Sequence, residues 1–330
     1  MGVGVGVGVG AGAGGQRLRG HAHARTVRMR DGDRPQADNG AGTMSYGAGQ
    51  ESVISGVDPE RDWRVPLAWS ADEAALRGVS LQLVVAVAPP HDTQHVDATP
   101  GLLRQAQEGE EALERAASWA RERQPGVEVT THLLEAAPAS LLTELSENAG
   151  MLVLGSRHLR GPSGFLGTSA LILPLAARAR CPVAVVGHPE HSTQEPAYLV
   201  VGVDDSASSH ASLDWAFQEA ASRGCALRVV AAWQPSVFTT ARGHSDHFKE
   251  ERRALAEAVA GWAEDHPDVA VTHEVVEGSP VEVLAEAGEH ALGLVVGRKG
   301  NGGYTGMRLG SVARGVLRRA HCPVIVVPPS

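Results

Sequence analysis

The stretch YLVVGVDDSASSHASLDWAFQEAASRGCALRVVAAW, residues 198–233, contains the unit from which the fold is built. Its first part, YLVVGV, is a short apolar run that suits a buried strand. Ser206 stands where a helix N-cap is expected, and Gly224 stands where the helix predicted over 207–223 should stop. LRVVAAW then supplies a second apolar run. Strand, helix and strand in this order are typical of parallel strands joined by a crossover helix.

The same pattern occurs earlier in the chain. SVISGVDPERDWRVPLAWSADEAALRGVSLQLVVAVAPP (52–90) aligns without a gap with residues 198–236 at an offset of 146. ARCPVAVVGHP (179–189) likewise matches AHCPVIVVPPS (320–330). A repeat this long indicates two homologous domains rather than a solenoid. We therefore divide the chain into an N-terminal extension (1–47), domain one (48–187), a linker (188–197) and domain two (198–330).

Both domains continue with alternating apolar runs and helical segments. The runs are continuously apolar, as in a parallel sheet that is covered on both faces. The sequence therefore predicts an α/β protein with two tandem doubly wound domains.

The extension is Gly-alternating and then Arg-rich. Such a composition predicts disorder. A basic tail for an acidic partner is the functional alternative, and Met44 is an alternative start, so translation of residues 1–43 stays open.

Composition restricts the function classes. The 330 residues carry a formal net charge of −9, which disfavours a dedicated nucleic-acid binder. No apolar run reaches the length of a membrane helix, and we expect no membrane partner. Three cysteines without a CxxC pair favour a reducing compartment, so we expect a cytoplasmic protein with buried thiols.

A glycine-rich segment, GRKGNGGYTGMRLGSVARGV, lies between the predicted fourth strand of domain two and the helix that follows. Glycines permit close backbone approach, and the start of a helix favours an anion. Ser311 adds a hydroxyl there, while Arg298 and Lys299 add positive charge. Asp204, after the first strand, could accept hydrogen bonds from a ribose hydroxyl or an exocyclic amine. The loop is neither a Walker A motif nor a Rossmann fingerprint.

The spacing Gly297-x2-Gly300-x9-Gly310-Ser311 matches the nucleotide loop G-x2-G-x9-G-(S/T) of the universal stress protein family. GVDDS at 202–206 and the closing CPVxVV extend the match, so the chain resembles the tandem form of that family. The resemblance implies an adenine nucleotide alpha-hydrolase-like fold, with a five-stranded parallel sheet of order 3-2-1-4-5 in each domain. It also implies that strand five pairs between domains, and that members with this loop bind ATP.

By position, the resemblance implies a cofactor site in domain two, in which Asp204 meets the nucleoside, Ala232 meets the adenine edge and the loop lines the ribose and phosphates. Whether Mg²⁺ binds together with the ATP is left open. The implied site residues are Val203, Asp204, Ala232, Val296, Gly297, Arg298, Gly300, Gly310, Ser311 and Val312.

Domain one departs from this pattern. His158 replaces the second glycine, Pro162 removes a donor, and Pro59 follows Asp58. These changes predict weak or absent nucleotide binding. The corresponding residues are Asp58, Ala86, Gly155, Gly167 and Thr168.

No other constellation carries chemistry. The histidine pairs 188/191 and 244/247 lack converging ligands, so we expect no metal site. No nucleophile, base and orienting group fall into a known motif, so we expect no catalytic residues.

The sequence therefore predicts an ATP-binding, nucleotide-responsive regulator of the stress response, with at most weak ATP hydrolysis. A slow ATPase, a scaffold that binds no nucleotide and a cyclic-AMP binder stay open as alternatives. We expect an intramolecular pseudo-dimer, with a homodimer and a protein partner both left open.

Overall fold

A computed structural model describes residues 52–88, 99–156, 168–187, 196–204, 206–234, 241–300 and 308–329. The extension 1–47 and most of the linker lie outside these residues. The described strands form one ten-stranded sheet. They are β1 (Ser52–Gly56), β2 (Leu81–Val87), β3 (Val129–Glu135), β4 (Ala149–Gly155), β5 (Val183–Val186), β6 (Tyr198–Val203), β7 (Ala226–Trp233), β8 (Val271–Glu277), β9 (Gly293–Gly297) and β10 (Val324–Val327).

Within each half, helices connect successive strands. They are α1 (Arg64–Arg77), α2 (Thr99–Arg123), α3 (Pro138–Leu145), α4 (Thr168–Arg178), α5 (Ala207–Arg223), α6 (Ala241–Asp265), α7 (Pro280–Ala287) and α8 (Ser311–Arg319).

The local signals in the repeat act as predicted. The Ser206 hydroxyl accepts a hydrogen bond from the Ser209 N–H at 3.2 Å and caps α5. Gly224 ends that helix with φ of 61°, and Gly78 ends α1 with φ of 65°. Both angles lie in the left-handed region, which glycine adopts without strain.

Strand order is β3-β2-β1-β4-β5-β10-β9-β6-β7-β8. Each half therefore has the order 3-2-1-4-5 that the resemblance implies, and the predicted α/β fold is confirmed. All pairs within a half are parallel. The halves meet where β5 and β10 pair antiparallel, with Val324 opposite Val185 and Val326 opposite Val183. Because of this reversal, the carboxyl ends of the strands lie on opposite edges of the sheet in the two halves.

Apolar side chains fill both faces of this sheet. On one face, α1, α2, α5 and α6 pack over a core that includes Leu67, Leu83, Phe217 and Leu227. On the other face, α3, α4, α7 and α8 pack over a second core. Each core contains residues of both halves, so burial of apolar surface also holds the halves together. Cys181, Cys225 and Cys322 are buried as expected.

A cluster of four charged side chains lies between α1 and α5. Arg77 donates to Glu219 at 2.6 Å and also bonds Glu73 on its own helix. Arg223 mirrors it: it donates to Glu219 on its own helix at 2.6 Å and reaches across to Glu73. We call these four residues the interdomain quartet. Its members correspond pairwise at the repeat offset, so it has the pseudo-twofold symmetry of the chain.

Two tryptophans pack on the quartet. The Arg77 guanidinium lies 5.6 Å from the Trp215 ring centre, and that of Arg223 lies 5.5 Å from the Trp69 ring centre. The spacing W-x3-E-x3-R occurs in both repeats and places three side chains on one helix face. This repeated triplet is the sequence pattern that could have indicated the quartet. Glu and Arg four residues apart, however, usually indicate a solvated helix face.

The quartet is buried enough to matter energetically. The Glu73 and Glu219 side chains are 0% and 4% exposed. We expect Arg223→Met to lower the free energy of unfolding by about 3 kcal/mol, because it leaves buried carboxylates short of a partner. Arg123→Met is the control: it breaks a pair with Asp72 whose side chains are 41% and 45% exposed, and should cost at most about 1 kcal/mol. Urea unfolding followed by circular dichroism measures both, and equal losses would contradict the assignment.

The quartet also predicts a pH dependence. Burial raises the pKa of Glu219 above its ordinary value of 4.5, and repulsion from the Glu73 carboxylate adds to the rise. Because the folded state then binds this proton more tightly than the unfolded state, Glu219 contributes most stability at low pH and loses it as pH rises through the folded-state pKa. The melting temperature of the wild type relative to Glu219→Gln should therefore rise as pH falls toward 4.5. Glu257→Gln controls for the loss of one carboxylate, and a pH-independent difference would contradict the prediction.

Candidate functional site

The carboxyl ends of β6 and β9 mark the place in domain two where an open α/β sheet forms a crevice, and we call this place the crevice of domain two. These strands are adjacent and parallel, with Gly202 opposite Val296. The chain leaves β6 toward β7 on one side, whereas β9 lies on the other side, so strand order reverses here. In open α/β sheets, ligands bind at this kind of reversal. The crevice therefore lies where the fold itself favours a ligand.

Asp204 is held in a fixed orientation at this edge. Its Oδ1 accepts a hydrogen bond from the Ser209 hydroxyl at 2.6 Å and from the Ser206 N–H at 3.0 Å. Its own N–H donates to the Ser209 hydroxyl oxygen at 2.8 Å. Asp204 remains exposed, so its carboxylate is both oriented and accessible.

The glycine loop packs closely against α5 and Asp204. A Cβ on Gly297 would lie 2.7 Å from the Ser208 carbonyl oxygen, a distance that no side chain tolerates. A Cβ on Gly300 would lie 2.4 Å from Asp204 Oδ2. Glycine is therefore required at Gly297 by backbone packing, and Gly300 places the loop backbone directly beside the carboxylate.

The other end of the loop returns to the same place. The Gly310 N–H donates to the Arg298 carbonyl at 2.9 Å, and Gly310 is the N-cap of α8. Ser311 and Val312 form the first turn of that helix, and Ser311 is exposed. The first N–H groups of a helix have no partner within it and attract anions. Residues 301–307 of the loop lie outside the described residues.

The remaining predicted residues of domain two lie on the neighbouring strand ends. Val203 ends β6 opposite Ala231, Ala232 follows on β7, and Val296 is buried in β9. The carboxyl edge of β9, β6 and β7 thus brings these residues together with Asp204 and the loop glycines.

Arg298 does not direct its charge into the loop as the sequence suggested. Its guanidinium donates to the Ala179 carbonyl of domain one. Burial lowers the pKa of this guanidinium, and repulsion from Arg180 adds to the effect. Only the Arg298 backbone contributes to the loop, because its side chain reaches the joint between the halves.

In domain one, Asp58, Ala86 and Gly155 surround the corresponding crevice at the carboxyl ends of β1, β2 and β4. Thr168 begins α4, while Gly167 lies outside the described residues. Asp58 differs in its partner from Asp204: it forms an ion pair with Arg61 at 2.8 Å.

Sequence reasoning missed two serines of the domain-two crevice. Ser209 orients Asp204, and the Ser208 hydroxyl accepts from the Lys299 N–H at 3.3 Å. Both are buried. The run DDSASS directly after a strand was the available signal, because short hydroxyl side chains there bond to nearby backbone groups.

Fold and crevice together define a tandem α/β protein with a glycine-loop site at a strand reversal. The model of the universal stress protein family matches residues 51–187 and 198–328. The chain therefore belongs to the universal stress protein family. It is 34% identical over 304 residues to universal stress protein Rv2005c of Mycobacterium tuberculosis, covering 87% of this chain and 100% of that protein. Universal stress protein Rv2623 of the same organism is 34% identical over 298 residues, covering 87% of this chain and 99% of that protein.

A solved structure supports the fold. A universal stress protein from Archaeoglobus fulgidus superposes with a TM-score of 0.65 at 17% identity, covering 85% of this chain and 97% of that one. At this identity the likeness concerns the fold alone.

None of the helices in the described ranges is long and apolar enough to span a membrane.

Because Gly297 is closely packed and Gly261 is not, replacement of each by alanine should change the free energy of unfolding in opposite directions. Gly297→Ala should lower the free energy of unfolding by about 1–3 kcal/mol, because its Cβ would collide with the α5 backbone. Gly261→Ala, on the exposed face of α6 with open space around it, should raise it by about 0.5–1 kcal/mol. Thermal and urea unfolding measure both. A neutral Gly297→Ala variant would show that the close approach is not required.

Proposed function

We propose that the protein binds ATP in the crevice of domain two and acts as a nucleotide-responsive regulator of the stress response. This proposal rests on the position of the two ends of the glycine loop, which come together next to Asp204 and the start of α8. Gly300 rests beside Asp204, and Gly310 returns to the Arg298 backbone at the start of α8. A hydrogen-bond acceptor and an anion-binding helix start thus border one crevice.

Each element suits one part of a nucleotide. The Asp204 carboxylate accepts hydrogen bonds from ribose hydroxyls or an exocyclic amine, and the first turn of α8 with Ser311 faces the phosphates. Bare glycine backbone allows the phosphates to approach closely. Asp204 is engaged by Ser209 and Ser206, which suits a binding role rather than a general base.

Regulation follows from linkage. ATP that binds only the folded state with an ordered loop stabilises that state in proportion to its concentration. We propose that the ordered loop changes a surface for a protein partner in the cytoplasm. The two halves form a pseudo-dimer within one chain. Light scattering measures whether two chains also associate.

Calorimetric titration of the full chain with ATP, with and without Mg²⁺, tests the proposal. We expect one site per chain, with affinity about ten-fold or more weaker in Asp204→Ala, because a charged acceptor is lost. Asp58→Ala, the corresponding change in domain one, is the matched control and should bind like the wild type.

Other outcomes point to the alternatives. Tighter binding of cyclic AMP than of ATP would make cyclic AMP, rather than ATP, the ligand of this crevice. Phosphate release that disappears in Asp204→Ala would make the protein a slow ATPase. Absence of heat and of any thermal shift with either nucleotide would leave a scaffold, and two equivalent ATP sites would refute the asymmetry between the domains.

A further inference from the structure

We propose that Arg180 of domain one binds the terminal phosphates of the nucleotide in domain two, with the positive charge of Arg298 beside it. This inference rests on the proposed function and adds a specificity-determining residue to that site. The two halves of the chain then recognise the triphosphate together, because domain one supplies a cation to the crevice of domain two.

The joint between the halves places Arg180 on the carboxyl edge of domain two. β5 and β10 are antiparallel, so the start of β5 lies beside the end of β10, with Val183 opposite Val326. β10 in turn ends beside β9, with Val327 opposite Gly297. The residues that lead into β5 therefore lie on the edge of the sheet at which the glycine loop begins.

Arg298 connects the segment that leads into β5 with the start of α8. Its carbonyl accepts a hydrogen bond from the Gly310 N–H at 2.9 Å, and Gly310 is the N-cap of α8. Its guanidinium donates to the carbonyl of Ala179, the residue that directly precedes Arg180. The length of one arginine side chain thus separates the anion-binding helix start from the backbone beside Arg180. The Arg180 side chain is long enough to span the same distance back toward the crevice.

Arg180 has a fixed backbone and an exposed side chain. Its N–H donates to the Ser146 hydroxyl oxygen at 2.9 Å, which holds it against the end of α3. Arg180 is exposed to solvent, and its guanidinium forms no ion pair with a carboxylate of the described residues. A guanidinium with a fixed backbone and no carboxylate partner is suited to bidentate binding of a phosphate group.

Arg298 adds a second guanidinium that lacks a carboxylate partner. Its Nε is buried and has no hydrogen-bond partner among the described residues. Burial lowers the pKa of this guanidinium, repulsion from Arg180 adds to the effect, and no carboxylate in the described ranges offsets it. The loop residues 301–307, NGGYTGM, contain no acidic residue either. A phosphate that binds beside two such guanidiniums stabilises the charge of both.

Comparison of the two crevices shows that this pair occurs on one edge of the sheet alone. At the positions that match Arg298 and Arg180 in the repeat, the edge of domain one has Ser156 and His321. The crevice there is a cavity of about 590 Å³ with largely apolar walls. The pseudo-twofold symmetry of the fold therefore does not require a guanidinium pair at this place. The pair accompanies the domain with the intact glycine loop, as a role in nucleotide binding requires.

Calorimetric titrations of the full chain with ATP and with AMP test the inference. Arg180→Gln should weaken ATP binding about ten-fold or more and leave AMP binding unchanged, because AMP lacks the terminal phosphates. Arg178→Gln, the control, removes another exposed arginine two residues earlier in the chain and should leave both affinities unchanged. Asp204→Ala, by contrast, should weaken ATP and AMP alike, because its carboxylate meets the nucleoside.

A second variant and the remaining outcomes complete the test. Arg298→Gln should also lower the affinity for ATP relative to AMP, and Arg180→Gln decides the matter if that variant does not fold, as judged by circular dichroism. Unchanged ATP affinity in Arg180→Gln, equal weakening of ATP and AMP, or equal effects of Arg180→Gln and Arg178→Gln would overturn this inference and leave ATP binding in place. Absence of ATP binding by the wild type would refute the proposed function and this inference with it.

Discussion

The antiparallel pairing of β5 with β10 is the contact on which the rest of the architecture depends. A parallel five-stranded sheet of this order on its own leaves the outward-facing backbone groups of its fifth strand unpaired, because the fourth strand covers only one side of it, and such edges invite association. Here each half covers the edge of the other. The joint aligns two cores across the molecule and places α1 beside α5, where the quartet of Glu73, Arg77, Glu219 and Arg223 forms. The strand pairing is therefore what brings these four charged side chains close together.

The same joint separates the two crevices. Because the halves run in opposite directions, the carboxyl ends of their strands, and with them the two crevices, lie on opposite edges of the sheet. Duplication within one chain therefore allows each crevice to have its own chemistry. Serines orient Asp204 in domain two, whereas Trp63, Pro66 and three carboxylates line the crevice of domain one. Arg298 illustrates the remaining connection, since its backbone belongs to one site and its guanidinium bonds the other half.

Local interactions were predictable from the sequence, and long-range ones were not. The cap at Ser206 and the helix stop at Gly224 depend on neighbouring residues, so pattern alone identified them. Strand order followed from resemblance to a family rather than from periodicity. The direction of Arg298 and the roles of Ser208 and Ser209 depend on which elements pack together. The cavity of domain one also escaped prediction, because the sequence showed a degenerate loop but not the apolar walls behind it.

The joint between β5 and β10 has a further consequence, which concerns synthesis of the chain. β5 is made in the first half, but its partner strand comes only after β6–β9. At common rates of translation, the ribosome takes on the order of ten seconds to make the intervening segment. During that interval domain one can fold and still present the uncovered edge of β5, which has four buried apolar residues in the finished protein. The protein is therefore most exposed to faulty association between nascent chains on one polysome, and β10 is the strand that ends this exposure.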